Sequence, residues 1–183
     1  MNKLISSIIL ISLSFIVGCS GSATYDTDEV AAIVRGEEIT VGDIRFFVEA
    51  EDEDLPEVVE SMVRETVVIQ EAKEMGIDVS DEVEESIKSF GQYPSENVDT
   101  DKANEIREFA EAQAERFDMK PKEFHKEFIE RSAKRSAYPN EFFKEHFDSN
   151  PETEEAEEMN EEIQQIVDVL LKEHEDKIEI LIK

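Results

Sequence analysis

The chain has 183 residues and carries 47 Asp and Glu against 19 Lys and Arg, a formal net charge of -28. Affinity for nucleic acid comes largely from cations that displace phosphate counterions, so this composition argues against a nucleic-acid partner and describes a strongly acidic, solvated surface. The single cysteine, Cys19, leaves no intrachain disulfide, and the length suits one domain with an elaboration.

Residues 1–18 read as an export signal: Lys3 supplies the positive charge, an apolar run broken only by serines follows from Leu4 to Val17, and Gly18 precedes Cys19. The run is shorter than the roughly 20 apolar residues a membrane span needs. Ile16-Val17-Gly18-Cys19 resembles a bacterial lipobox, with Ile16 in place of the commoner leucine. The resemblance implies a diacylglyceryl group on the Cys19 sulfur, a mature chain that starts at Cys19, and acylation of its new amino terminus. Two or more acyl chains anchor a protein stably where one does not. On the same resemblance residues 19–28 are expected to be the acylated cysteine and a flexible tether, and the protein to face away from the cytoplasm on the cell membrane.

From Val30 the pattern alternates through Ala32 and Val34, turns at Gly36, resumes at Glu38-Ile39 and predicts a helix from Val41 to about Ala50, with Thr40 as N-cap and Asp43 three residues on. Two short strands do not bury a face alone. The predicted partner is Lys177–Lys183, where Ile178, Ile180 and Ile182 share one side. Between them lie helices. The stripe Leu55, Val58, Val59, Met62, Val63, Thr66, Ile69, Ala72, Met75 predicts a long helix that starts near Pro56 and stops at Gly76. Ser80 is expected to cap a third helix ending near Phe90-Gly91. Ile106, Phe109, Ala110, Gln113 and Phe117 mark a fourth; Pro121 opens a fifth, which Pro139 is expected to break or kink after Tyr138. Asn150-Pro151 opens the last helix, through Met159, Ile163, Ile166, Val167, Leu170 and Leu171.

Catalytic signatures are missing from this pattern. His125, His146 and His174 stand apart, with no further ligand at metal spacing, and are expected on solvated helix surface. The chain has no glycine-rich phosphate loop, no nucleophile elbow and no HExxH. No cofactor or metal is expected, and the reading is a binding protein, not an enzyme.

Val30 to Ile44, taken with Val67-Val68-Ile69-Gln70-Glu71-Ala72-Lys73-Glu74-Met75-Gly76-Ile77-Asp78-Val79-Ser80-Asp81-Glu82-Val83, resembles the N-terminal module of the SurA/PrsA group of extracytoplasmic foldases. Arg35 stands where that family usually has Asn. The likeness is specific over about residues 29–90, weaker over 101–150, and returns in the final helix and strand. It implies a mostly α fold, a helical SurA N-terminal-like or trigger-factor-like peptide-binding module whose small β-sheet joins the N-terminal hairpin to the C-terminal strand. In these terms residues 29–183 form one chaperone domain, with 101–150 a helical elaboration and 151–183 the closing helix and strand. The family usually carries a parvulin-type prolyl isomerase domain between its two ends. About 60 helical residues between Phe90 and Asn150 leave no room for it.

The expected function is therefore a membrane-anchored holdase that binds unfolded exported polypeptides through an apolar groove without catalysis. The client-binding candidates are Phe109, Phe117, Phe124, Phe128, Phe142, Phe143 and Phe147, with Met119 and Tyr138 as adaptable neighbours. Adjacent Phe142 and Phe143 cannot point the same way on a helix. The alternative reading is a lipoprotein that uses this scaffold for one dedicated envelope partner, and prolyl isomerisation stands third. Self-association as a homodimer through the same apolar surface is also allowed.

Overall fold

The computed structural model describes residues 25–147 and 155–182, with side chains of the last helix described from Met159 onward. Cys19, the lipobox, the tether before Tyr25 and the expected helix start at Asn150-Pro151 lie outside the described residues. The elements run β1 (Val30–Val34), β2 (Glu37–Thr40), α1 (Val41–Phe47), α2 (Leu55–Glu74), α3 (Ser80–Phe90), α4 (Asp101–Arg116), α5 (Pro121–His146), α6 (Glu155–Glu173) and β3 (Ile178–Ile180), a 3-10 turn (Glu175–Lys177) joining the last two. Among the described residues no helix is long and apolar enough to cross a membrane.

The two ends of this region meet as the alternation predicts. The sheet is antiparallel in the order β2-β1-β3, with Ala32 opposite both Ile39 and Ile180. Arg35 (φ 52) and Gly36 (φ 87) form the two-residue turn, both in the left-handed region that such hairpins demand. Arginine is an unusual occupant there. Its guanidinium is held by Glu74 and lies 3.5 Å from Glu71, which ties the turn to the end of α2. At Ala31 the β1–β2 register shifts by one residue, and its carbonyl accepts from the Leu181 amide at 2.8 Å.

Thr40 caps α1 with a full capping box. Its hydroxyl accepts from the Asp43 amide at 3.0 Å, and Asp43 Oδ2 accepts from the Thr40 amide at 3.1 Å. The helix is shorter than expected and ends at Phe47, because Val48 turns extended (φ -136) and the chain bends back. There Arg45 donates to the Tyr25 carbonyl and pairs with Asp52 at 2.5 Å. Gly76, at φ 79, stops α2 as predicted.

Three expectations need correction. Ser80 is the first residue of α3 and not its cap; the cap position is Val79, and the Asp78 carboxylate accepts from the Ser80 amide and hydroxyl at 3.0 and 2.6 Å. Pro139 does not break the chain into two helices, since α5 runs continuously from Pro121 to His146. Ala133, Ala137 and Phe142 are buried on either side of the proline, and their packing against neighbouring helices outweighs one missing backbone hydrogen bond. His125 is no surface residue: it is 6% exposed and its Nε2 donates to the Phe90 carbonyl at 3.1 Å.

The main core lies between the sheet and α2, with Ala32, Val34, Ile44, Leu55, Val59 and Val67 fully buried and Phe142, Val167 and Leu170 closing it from α5 and α6. A second, aromatic cluster joins α1 to α4 and α5, and a third joins α3 to α5 around Val79, Val83 and Ala137. Helix α5 packs on α2, α3 and α4, so it is the beam that links all three.

Candidate functional site

The seven phenylalanines divide into two groups. Phe109, Phe117, Phe124 and Phe128 gather with Phe46 and Phe47 of α1 in the aromatic cluster. Ring centroids are 4.9 Å apart for Phe46–Phe124 and 5.2 Å for Phe109–Phe128, distances at which offset and edge contacts are favourable. Phe124 is fully buried and is core; Phe109, Phe117 and Phe128 are half-buried around it, with Met119 alongside. Arg131 and Arg135 lie over Phe47, 5.0 and 4.0 Å from its centroid, and cover part of that rim.

Phe142, Phe143 and Phe147 sit at the far end of α5. Phe142 points inward and is 2% exposed, while Phe143 is half-buried, meets Phe142 edge-on at 5.1 Å and stacks on Phe147 at 6.4 Å. Phe142 and Phe143 belong to the main core and the first group to the aromatic cluster, so the two groups lie in different clusters.

An open apolar trough does lie beside the second group. Helices α5 and α6 both pack on α2 but, among the described residues, scarcely on each other. A groove of about 590 Å³ results, lined by Phe142, Ile166, Leu170, Val169 and Met75. Val169 is 55% exposed and Met75 48%, which makes them two of the most accessible large apolar side chains described. Neither Val169 nor the accessibility of Met75 follows from periodicity. Spacing places Met75, Ile166 and Leu170 on apolar faces, and only the separation of α5 from α6 leaves those faces uncovered.

The rim of the trough is acidic. Glu71 and Glu162 stand on it; Glu71 is 3.5 Å from Arg35 and 3.8 Å from His174. His146 closes one end. Its ring lies 4.5 Å from that of Phe142, and its Nδ1 donates to the Phe142 carbonyl at 2.7 Å, so the imidazole is held as a wall of the groove.

A second groove, about 500 Å³, runs between the hairpin, α2 and α5 and is bordered by Ile39, Met62, Ile69 and Tyr138 together with both signs of charge. Its cations are already engaged: Arg131 pairs with Asp43 at 2.9 Å, Arg135 holds Glu65 with two nitrogens, and Lys73 lies 5.5 Å above the Tyr138 ring. This groove is a clamp between elements more than an open surface.

Comparisons with family models, with curated proteins and with solved structures return no match. The chemistry of the chain therefore rests on its own geometry. Among the described residues no group of three or more His, Cys, Asp or Glu is placed to hold a metal ion.

What this arrangement offers is a binding surface. An exposed apolar trough with a flexible methionine at one lip has room for side chains of varied shape, since apolar contact trades water for area without directional demands. Of the two rim carboxylates, Glu71 already faces Arg35, which leaves Glu162 as the main negative charge on the lip.

Proposed function

We propose that this chain is a lipid-anchored extracytoplasmic holdase of the SurA/PrsA N-terminal type, attached to the membrane through acylated Cys19 and binding unfolded segments of exported proteins without catalysis. The observation that carries the reading is the trough between α5 and α6, where Met75 and Val169 stay exposed above the buried Phe142 and Leu170. A sheet that ties the N-terminal hairpin to the C-terminal strand supports the same reading, since that closure is what the resemblance implies.

In this mechanism an apolar side chain of a client enters the trough and covers Val169 and Met75. Each fully buried aliphatic side chain contributes about 1.5–3 kcal/mol, enough for weak, reversible capture and too little to trap a client. The heavily charged remainder of the surface keeps the complex in solution at the membrane.

The test mixes the chain from Ser20 onward with two unrelated aggregating proteins at rising ratio and follows light scattering, with peptide prolyl isomerisation measured in parallel. Suppression for both clients without peptide turnover supports the holdase. Failure on both clients, with saturable capture of one envelope protein, would replace it with the dedicated-partner reading, and peptide turnover would replace it with an isomerase.

A further inference from the structure

The β-sheet ends on an open edge. Antiparallel strands alternate residues that exchange hydrogen bonds with the neighbour and residues whose backbone groups point away. The Arg35 amide donates to the Lys177 carbonyl at 2.8 Å and the Leu181 amide donates to the Ala31 carbonyl at 2.8 Å, so the odd-numbered residues of β3 face β1. The amides and carbonyls of Ile178 and Ile180 consequently point outward, and among the described residues no other strand pairs with β3.

Beside this edge lies a groove of about 330 Å³ floored by Val63, Leu171, Ile178 and Ile180. Its rim carries Glu60 and Glu175, both exposed, and its one cation, Arg64, is engaged by Asp168 at 2.8 Å. Unpaired extended backbone, an apolar slot and unbalanced negative charge thus occur together.

We infer that the outer edge of β3 is a docking strand for an extended polypeptide segment in which apolar residues alternate with Lys or Arg. Such a segment adds a fourth strand: its backbone pairs with Ile178 and Ile180, its apolar side chains enter the slot, and its cations, which alternation puts on the opposite face, meet the exposed Glu179. Charge selects this occupant over a second copy of the chain, because each copy carries a formal charge of -28 and would bring its own Glu175 and Glu179 to an already acidic rim. With three residues in β3, the pairing is short and releases readily. The surface is separate from the trough between α5 and α6, and the inference stands whether or not that trough binds clients.

The test uses the full chain in mild detergent and three peptides: an alternating Lys-Val heptamer, the same peptide with Glu for Lys, and the Lys-Val peptide with alternate amides N-methylated. Binding is followed by fluorescence anisotropy and by amide hydrogen exchange. The Lys-Val peptide is expected to bind, to weaken with salt, and to slow exchange at the Ile178 and Ile180 amides. N-methylation, which removes backbone donors, is expected to weaken binding about tenfold or more. Glu179→Lys, on the surface, is expected to weaken it about tenfold or more and to reduce its salt dependence. Equal binding of the N-methylated peptide, unchanged exchange at Ile178 and Ile180 at saturation, or concentration-dependent pairing of the chain through β3 without peptide would each overturn the inference.

Discussion

Arg131 on α5 donates to Asp43 Oδ1 at 2.9 Å, while the other oxygen of the same carboxylate accepts from the Thr40 amide and hydroxyl. One side chain therefore closes the cap of α1 and fastens the long α5 beam to the hairpin. Burial pushes the Asp43 carboxyl up, but the Thr40 and Arg131 hydrogen bonds outweigh it and hold the group below the ordinary aspartate range. A carboxyl depressed on folding adds stability above its unfolded-state value, about 3.9 for aspartate, and that contribution is lost as pH falls through the folded value.

Asp43→Ala is accordingly expected to lower stability by about 1–2 kcal/mol near neutral pH, through the lost carboxylate half of the capping box and the lost Arg131 contact. The difference from the wild type should shrink as the pH falls below about 4, where the unfolded chain takes up a proton that the folded carboxylate resists, and go on shrinking through the lower folded value. Urea unfolding at pH 7 and pH 3 measures this; a difference that persists undiminished at pH 3 would assign the effect to packing alone.

Gln113, 1% exposed on α4, donates from Nε2 to the Arg45 carbonyl at 2.8 Å, at the C-terminal end of α1. Gln113→Leu removes that donor while filling similar space and leaves the carbonyl buried without it. The expected cost is about 1–3 kcal/mol, read as a shift in urea midpoint with unchanged slope. No shift would mean that another donor reaches the carbonyl.

Pro139 interrupts the hydrogen-bond ladder of α5 without ending the helix. Pro139→Ala restores an amide donor one turn from the buried Phe142 and is expected to stabilise the protein by about 1–3 kcal/mol, part of the full helix-interior penalty of proline. Loss of stability in this variant would show that the helix is shaped around the proline.

Much of this architecture is legible in the chain. Period-2 alternation in Val30–Val34 and Ile178–Ile180, with Gly36 between extended pieces, places the sheet and the meeting of its ends, and the Leu55 to Met75 stripe places α2. The break that Pro139 allows does not occur, because packing on both sides of it outweighs one missing hydrogen bond and a local rule does not weigh that packing. His125 is misread because its acidic sequence neighbours say nothing of Phe90, 35 positions away, whose carbonyl it reaches. The trough is invisible for a related reason: periodicity states which face of α6 is apolar, and only the three-dimensional gap between α5 and α6 decides that Val169 and Met75 remain uncovered.

Val169 is 55% exposed, so Val169→Asp places a charge on the lip of the trough with little cost to the fold. Light scattering of two aggregating clients, compared between wild type and Val169→Asp at matched thermal stability, tests the central claim most directly. The account predicts that the wild type suppresses aggregation of both and that the variant loses most of that protection with an unchanged melting temperature. Equal protection by the two proteins would contradict it and move client binding away from the trough.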